Sequence, residues 1–251
     1  MRESGSRTPA AGIHQPAGRA RLDRRTILEA GAEFVDRQGV QELSMRRLGA
    51  CLGVEGMSLY RHVPSREDLL DGIVDLMMDE LQSDPEVLLE PRHGWRDYLI
   101  RLAYGLRRMA LAHPRIFPLV ATRPPRAAWV RPPLRSPRWI DSFLGALTSS
   151  GFSPAAAVTA YRAFSSFLLG HLLPEAAARG AEPGPAGPGS QHPGAIGDLG
   201  VYPQVLRLQA LLSEDRSEDE FNASLEDLLE RLDALPRPGI RIPEPVPAGT
   251  D

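Results

Sequence analysis

Apolar residues along the chain recur at helical spacing. From Arg24 onward, Ile27, Leu28, Gly31, Phe34 and Val35 fall three or four positions apart, and Gly39 closes the run as a residue suited to a helix C-terminus. Ser44 is placed to cap a short helix carrying Met45, Leu48 and Leu52, which Gly53 stops. Met57 to His62 reads as a second short helix. Ser65, followed by Glu67 and Asp68, starts a longer one through Leu69, Leu70, Ile73, Val74, Leu76 and Met77 to about Leu81.

Pro85 and Pro91 interrupt the pattern, and Trp95 opens an amphipathic helix to about Ala112. Seven prolines between 113 and 137 predict an irregular segment with at most a helical turn near Ile116 to Val120. A helix then runs from Ser136 or Pro137 to Ser150. Gly151-Phe152-Ser153-Pro154 ends it and starts the next, with Ser153 as cap and Pro154 in the first turn. That helix reaches Leu173 or Ala178. Residues 180–200, rich in Gly and Pro, read as a mobile loop, and helices at about Tyr202–Leu212 and Ser217–Leu235 complete the set. With no strand-like alternation and no repeat, the fold class is all-α. The expected division is a disordered arm at 1–20, a three-helix domain at 21–66, a larger helical domain at 67–235 and a Pro-rich tail at 236–251.

Charge changes this picture. The net charge is −3, but residues 1–25 carry six Arg against two acids, while residues 214–235 carry nine acids against two Arg. A polyanionic partner therefore belongs at the N-terminal end. There the two short helices joined by Gly53-Val54-Glu55 have the length and turn of a helix-turn-helix over Ser44 to His62. Leu48, Leu52, Val54 and Leu59 are spaced to pin the helices together, leaving Gly56, Met57, Ser58 and Arg61 outward. Tyr60, His62 and Arg66 sit where hydroxyl, imidazole and guanidinium reach phosphate oxygens.

Other chemistry is sparse. The lone Cys51 excludes an intrachain disulfide and reads as a small core hydrophobe; no Cys/His spacing suggests a metal site, and no cofactor is expected. The six His and the run Glu218-Asp219-Glu220 form no triad, so catalysis is not expected. Neither a signal-peptide core nor a run of ~20 apolar residues occurs, so the expectation is a cytoplasmic protein without a membrane partner.

Leu43-Ser44-Met45-Arg46-Arg47-Leu48-Gly49-Ala50-Cys51-Leu52-Gly53-Val54-Glu55-Gly56-Met57-Ser58-Leu59-Tyr60-Arg61-His62-Val63, followed by Arg66 and Leu69-Leu70, resembles the signature of TetR-family transcriptional regulators. The resemblance implies that Arg46, Gly56, Met57 and Ser58 face bases and that Tyr60, His62 and Arg66 hold phosphates. Gly49 stands where the family usually has Ala, which reads as a small packing change. Further on, Trp95-Arg-Asp-Tyr-Leu, Ala121-Thr122-Arg123-Pro124, Gly151-Phe152-Ser153 and Phe167-Leu168-Leu169-Gly170 are similar in order to tetracycline-repressor-like C-terminal domains.

That second resemblance implies a homodimer on a palindromic operator, joined through Pro154–Leu173 and Ser217–Leu235, with Phe164, Phe167, Leu168, Phe221, Leu225 and Leu228 at the seam. It also implies an effector pocket lined by Leu102, Leu106, Leu119, Arg123, Phe143, Val158 and Tyr161. Tetracycline-binding members carry an amide near the position of Leu102 and a chelating His near that of Leu119. Both are Leu here, so the expected effector is a hydrophobic small molecule and not a magnesium–tetracycline chelate. The expected output is repression, relieved when the effector favours a swing of the helix from Ser65 to Leu81. A regulator controlled by a protein partner, without an effector, is the alternative.

Overall fold

The computed structural model describes residues 22–87, 93–123, 137–180 and 201–237. Among the described residues there are ten helices and no strand. Three short N-terminal helices form a head. α1 (Arg24–Gln38) starts where the Asp23 carboxylate accepts the Thr26 N–H at 2.9 Å, and ends at Gly39, whose φ of 86° suits the turn out of the helix. α2 (Met45–Cys51) is capped by the Ser44 hydroxyl, and α3 (Gly56–Leu59) follows the turn at Gly53. α3 is a single turn, shorter than the helix expected from Met57 to His62.

α4 (Arg66–Ser83) joins the head to the rest of the molecule. Its first turn is locked by Ser65, which accepts the Asp68 N–H and donates to the Asp68 carboxylate. Leu69, Leu70, Ile73, Val74, Met77, Met78 and Leu81 make its buried stripe. A Cβ on Gly72 would lie 2.5 Å from the Leu28 methyl, so α1 and α4 owe their close approach to that glycine.

The larger part comprises α5 (Trp95–Ala112), α6 (Phe117–Thr122), α7 (Pro137–Ser149), α8 (Pro154–Ala178), α9 (Pro203–Leu212) and α10 (Ser217–Asp233). Phe143 of α7 is the centre of its core, with ring centroids 6.3 Å from Tyr98, 5.6 Å from Tyr161 and 5.5 Å from Phe164. α8 runs through Pro174 to Ala178. Leu172, Glu175 and Ala176 on either side of that proline are buried, and this packing holds the helix across the lost backbone bond. Glu175 takes a bidentate pair from Arg107 of α5 at 2.7 and 3.1 Å, and the Arg107 guanidinium lies over the Phe221 ring of α10. Burial pushes the Glu175 carboxyl up, but hydrogen bonds from Arg107 and Arg179 outweigh it and hold the group below its ordinary range.

The expectation for Cys51 changes. Cys51 is exposed on the outer face of α2 instead of packed in the core. The head is only three short helices deep, and Leu48, Leu59 and Ile27 already fill its interior. α9 buries nothing: Val205, Leu206, Leu208, Leu211 and Leu212 are all exposed. The expected arm, the loop at 180–200 beyond Gly180 and most of the tail lie outside the described residues.

Candidate nucleic-acid interface and effector pocket

The α2–α3 pair is held by unusually close backbone contact. A Cβ on Gly49 would lie 2.8 Å from both the Val54 carbonyl oxygen and the Gly56 nitrogen. One on Gly56 would lie 3.0 Å from the Met45 carbonyl oxygen. Two glycines thus set how near the helices come, and Gly49 is more than the small packing change its sequence suggested. Leu48 and Leu59 are fully buried beneath the crossing.

The outward surface of this pair carries Arg46, Met57, Ser58, Tyr60 and Arg61. Met57 is 73% exposed and Tyr60 42%, so neither serves the core. Arg46 and Arg61 are exposed, and Ser58 is half-buried. Gly56 is at the crossing and offers backbone only. His62 is half-buried, and its carbonyl accepts Arg24 at 3.3 Å. Arg66 is differently employed: its guanidinium donates to the Leu43 and Val40 carbonyls at 2.9 and 2.7 Å, bracing the α1–α2 connection. Arg61, absent from the phosphate-contact residues read from the sequence, is an exposed cation one turn after Met57. That i+4 spacing was the available signal.

The residues expected to line an effector pocket separate into three places. Leu102, Leu106, Phe143 and Tyr161 are buried together between α5, α7 and α8. Leu119 and Arg123 belong to α6 and its end, and line instead a cavity of about 350 Å³ against the head. Arg123 pairs with Asp71 and Glu67 of α4 at 2.8 and 2.6 Å. Val158 is exposed on the outer face of α8. Within the interior, the Tyr98 hydroxyl, the Trp139 indole nitrogen and the Ser165 hydroxyl are buried without a hydrogen-bond partner among the described residues. Burial pushes the Tyr98 phenol well up, so it remains a donor.

Of the residues expected at a dimer seam, Phe164, Leu168, Phe221, Leu225 and Leu228 are already buried within one chain. They pack α8 on α10, and only Phe167 is half-exposed. Stripe periodicity cannot tell an intramolecular face from an intermolecular one. Among the described residues no cluster of three His, Cys, Asp or Glu could hold a metal ion, and no helix is long and apolar enough to cross a membrane.

The head also meets the larger part away from α4. His113, just after α5, shares a 2.6 Å hydrogen bond with Asp36 of α1, and the bond raises the imidazole above its ordinary value. Arg115 donates to the Arg37 carbonyl at 2.6 Å at the end of the same helix. Sequence reading missed both, because an α1 to α5 contact has no local spacing.

A family profile described as "Bacterial regulatory proteins, tetR family" matches residues 27–73, and one described as "Tetracyclin repressor-like, C-terminal domain" matches residues 89–235. The chain belongs to the TetR family. An HTH-type transcriptional regulator of Saccharopolyspora erythraea is 33% identical over 152 residues, which span 59% of this chain and 59% of that protein. Tetracycline repressor protein class G of Vibrio anguillarum is 27% identical over 218 residues, covering 86% of this chain and 95% of that one. Among solved structures, the Streptomyces coelicolor TetR family protein ActR in complex with actinorhodin superposes with a TM-score of 0.62. It is 26% identical, over 86% of this chain and 98% of that one.

Proposed function

We propose that the protein is a homodimeric transcriptional repressor, acting in the cytoplasm, whose head (21–66) binds a palindromic operator and whose larger domain (67–235) releases it in response to a hydrophobic small molecule. The observation that carries the reading is the outward row Arg46, Met57, Ser58, Tyr60 and Arg61 across α2, α3 and the turn that follows α3. Arg46 reaches base edges from α2, Met57 meets a thymine methyl, and Tyr60 and Arg61 hold phosphates. The half-buried Phe167 and the exposed apolar side chains of α9 support assembly with a second copy.

For the effector, the three unpartnered donors Tyr98, Trp139 and Ser165, on three helices around Phe143, support a ligand with acceptor groups on an aromatic body. The solved relative holds actinorhodin, which fits the same class. Leu102 and Leu119 offer neither amide nor imidazole, which speaks against a magnesium–tetracycline chelate. Footprinting on the promoter region next to its own gene tests the operator, and Arg46→Ala with Tyr60→Ala should abolish protection. Intact affinity in that double variant would overturn the reading.

A second reading is favoured by one observation: Leu102, Leu106, Phe143 and Tyr161 are each 4% exposed or less, a closed interior that suits control by a protein partner. A small-molecule screen that releases the operator decides against it.

A further inference from the structure

The cavity between the head and α6 lies outside the interior discussed above. Three elements form it: the α1–α2 connection at Val40, the start of α4 at Arg66 and Glu67, and α6 with its flanks at Arg115, Leu119 and Arg123. Its volume of about 350 Å³ is at the lower end of small-molecule sites. Its charge is uneven. Three guanidiniums face one carboxylate in the lining, with Asp71 behind Arg123 as the next.

Arg115 is the decisive group. Its partners are the carbonyls of Asp36, Arg37 and Gly180, all neutral, so its charge is uncompensated among the described residues. Arg66 likewise gives its short hydrogen bonds to carbonyls, and Glu67 lies 3.5 Å away. Glu67 is 67% exposed on its side chain, so it can turn to water and yield its place to another anion. Leu119, Val40 and Leu70 supply an apolar wall beside these cations.

From this arrangement we infer that the head–α6 cavity is a binding site for a small amphiphilic anion, a carboxylate or its equivalent on a one- or two-ring apolar body. The carboxylate takes a charge-assisted bond from Nη2 of Arg115, the nitrogen that these carbonyls leave over, and the rings lie on Leu119 and Val40. A molecule there touches α1, α4 and α6 at once. Its affinity therefore depends on how the head is held, and by linkage its binding alters operator affinity by the same factor.

Titration of the full-length protein with 2-naphthoate and with its neutral analogue 2-naphthamide tests the site by calorimetry. The direct binding readout holds whether or not the operator reading survives. The acid should bind about tenfold more tightly than the amide, as expected for one charge-assisted hydrogen-bonding pair. Arg115→Gln should remove that preference, and Thr122→Trp, which fills the cavity without touching its charges, should abolish binding of both. Equal affinity for acid and amide, acid binding indifferent to Thr122→Trp, or no acid binding in the millimolar range would each overturn the proposal.

Discussion

At the scale of single residues, glycine and arginine define the head. The Gly49 Cβ position, 2.8 Å from two backbone atoms, leaves no room for the alanine usual in the family. Gly49→Ala should force α2 and α3 apart. Urea unfolding should show a loss of about 1–3 kcal/mol, as for overpacked sites, and anisotropy should show weakened operator binding. The arginines divide by partner. Arg61→Ala should weaken binding evenly across sequences and lower the salt slope by about 1, as for one phosphate contact. Arg66→Ala removes a brace on Val40 and Leu43, so its first effect should be a lower melting temperature of the free protein. An unchanged melt would return Arg66 to the phosphate-binding set.

Among the elements, α8 shows how tertiary packing overrules local preference. Its sequence leaves the end open between Leu173 and Ala178, and the helix continues past Pro174 with Glu175 wedged under Arg107 and Arg179. Glu175→Ala takes from Arg107, 12% exposed, its bidentate partner and leaves only the weaker attraction of Glu218. Equilibrium unfolding should record a loss of about 3–5 kcal/mol, the cost of breaking a buried pair. α9 is the opposite case, an amphipathic sequence with no buried face within one chain. Sedimentation at micromolar concentration should give twice the 27.4 kDa chain mass, and Leu206→Glu with Leu211→Glu should move the species toward the monomer. A dimer indifferent to both charges would leave α9 outside the seam.

For the whole molecule, the question is how the head is held. α4 carries the main connection, and His113–Asp36 is a second, titratable one. Its imidazole is raised by the hydrogen bond it donates to Asp36, with Glu80 adding attraction, so the protonated form stabilises the folded state. That contribution is complete below the unfolded-state value of about 6.5 and is lost as pH rises through the higher folded value. The gap in thermal midpoint between the wild type and His113→Asn should therefore be full below about pH 6.5 and shrink as pH rises above it. A gap that is constant or widens would remove the charge from the contact.

Local chemistry by itself determines much of this architecture. Ser44, Ser65 and Ser153 mark helix starts because a cap acts within one turn, and the buried stripe of α4 follows from its spacing. The outward row on α3 was legible for the same reason. Tertiary structure alone decided that Cys51 faces solvent and that Arg66 serves carbonyls far away in sequence. It also decided that five stripe residues of α8 and α10 are spent within one chain, and that Leu119 and Arg123 face the head. Helical periodicity reports which side of a helix is apolar. What lies opposite depends on how the helices meet.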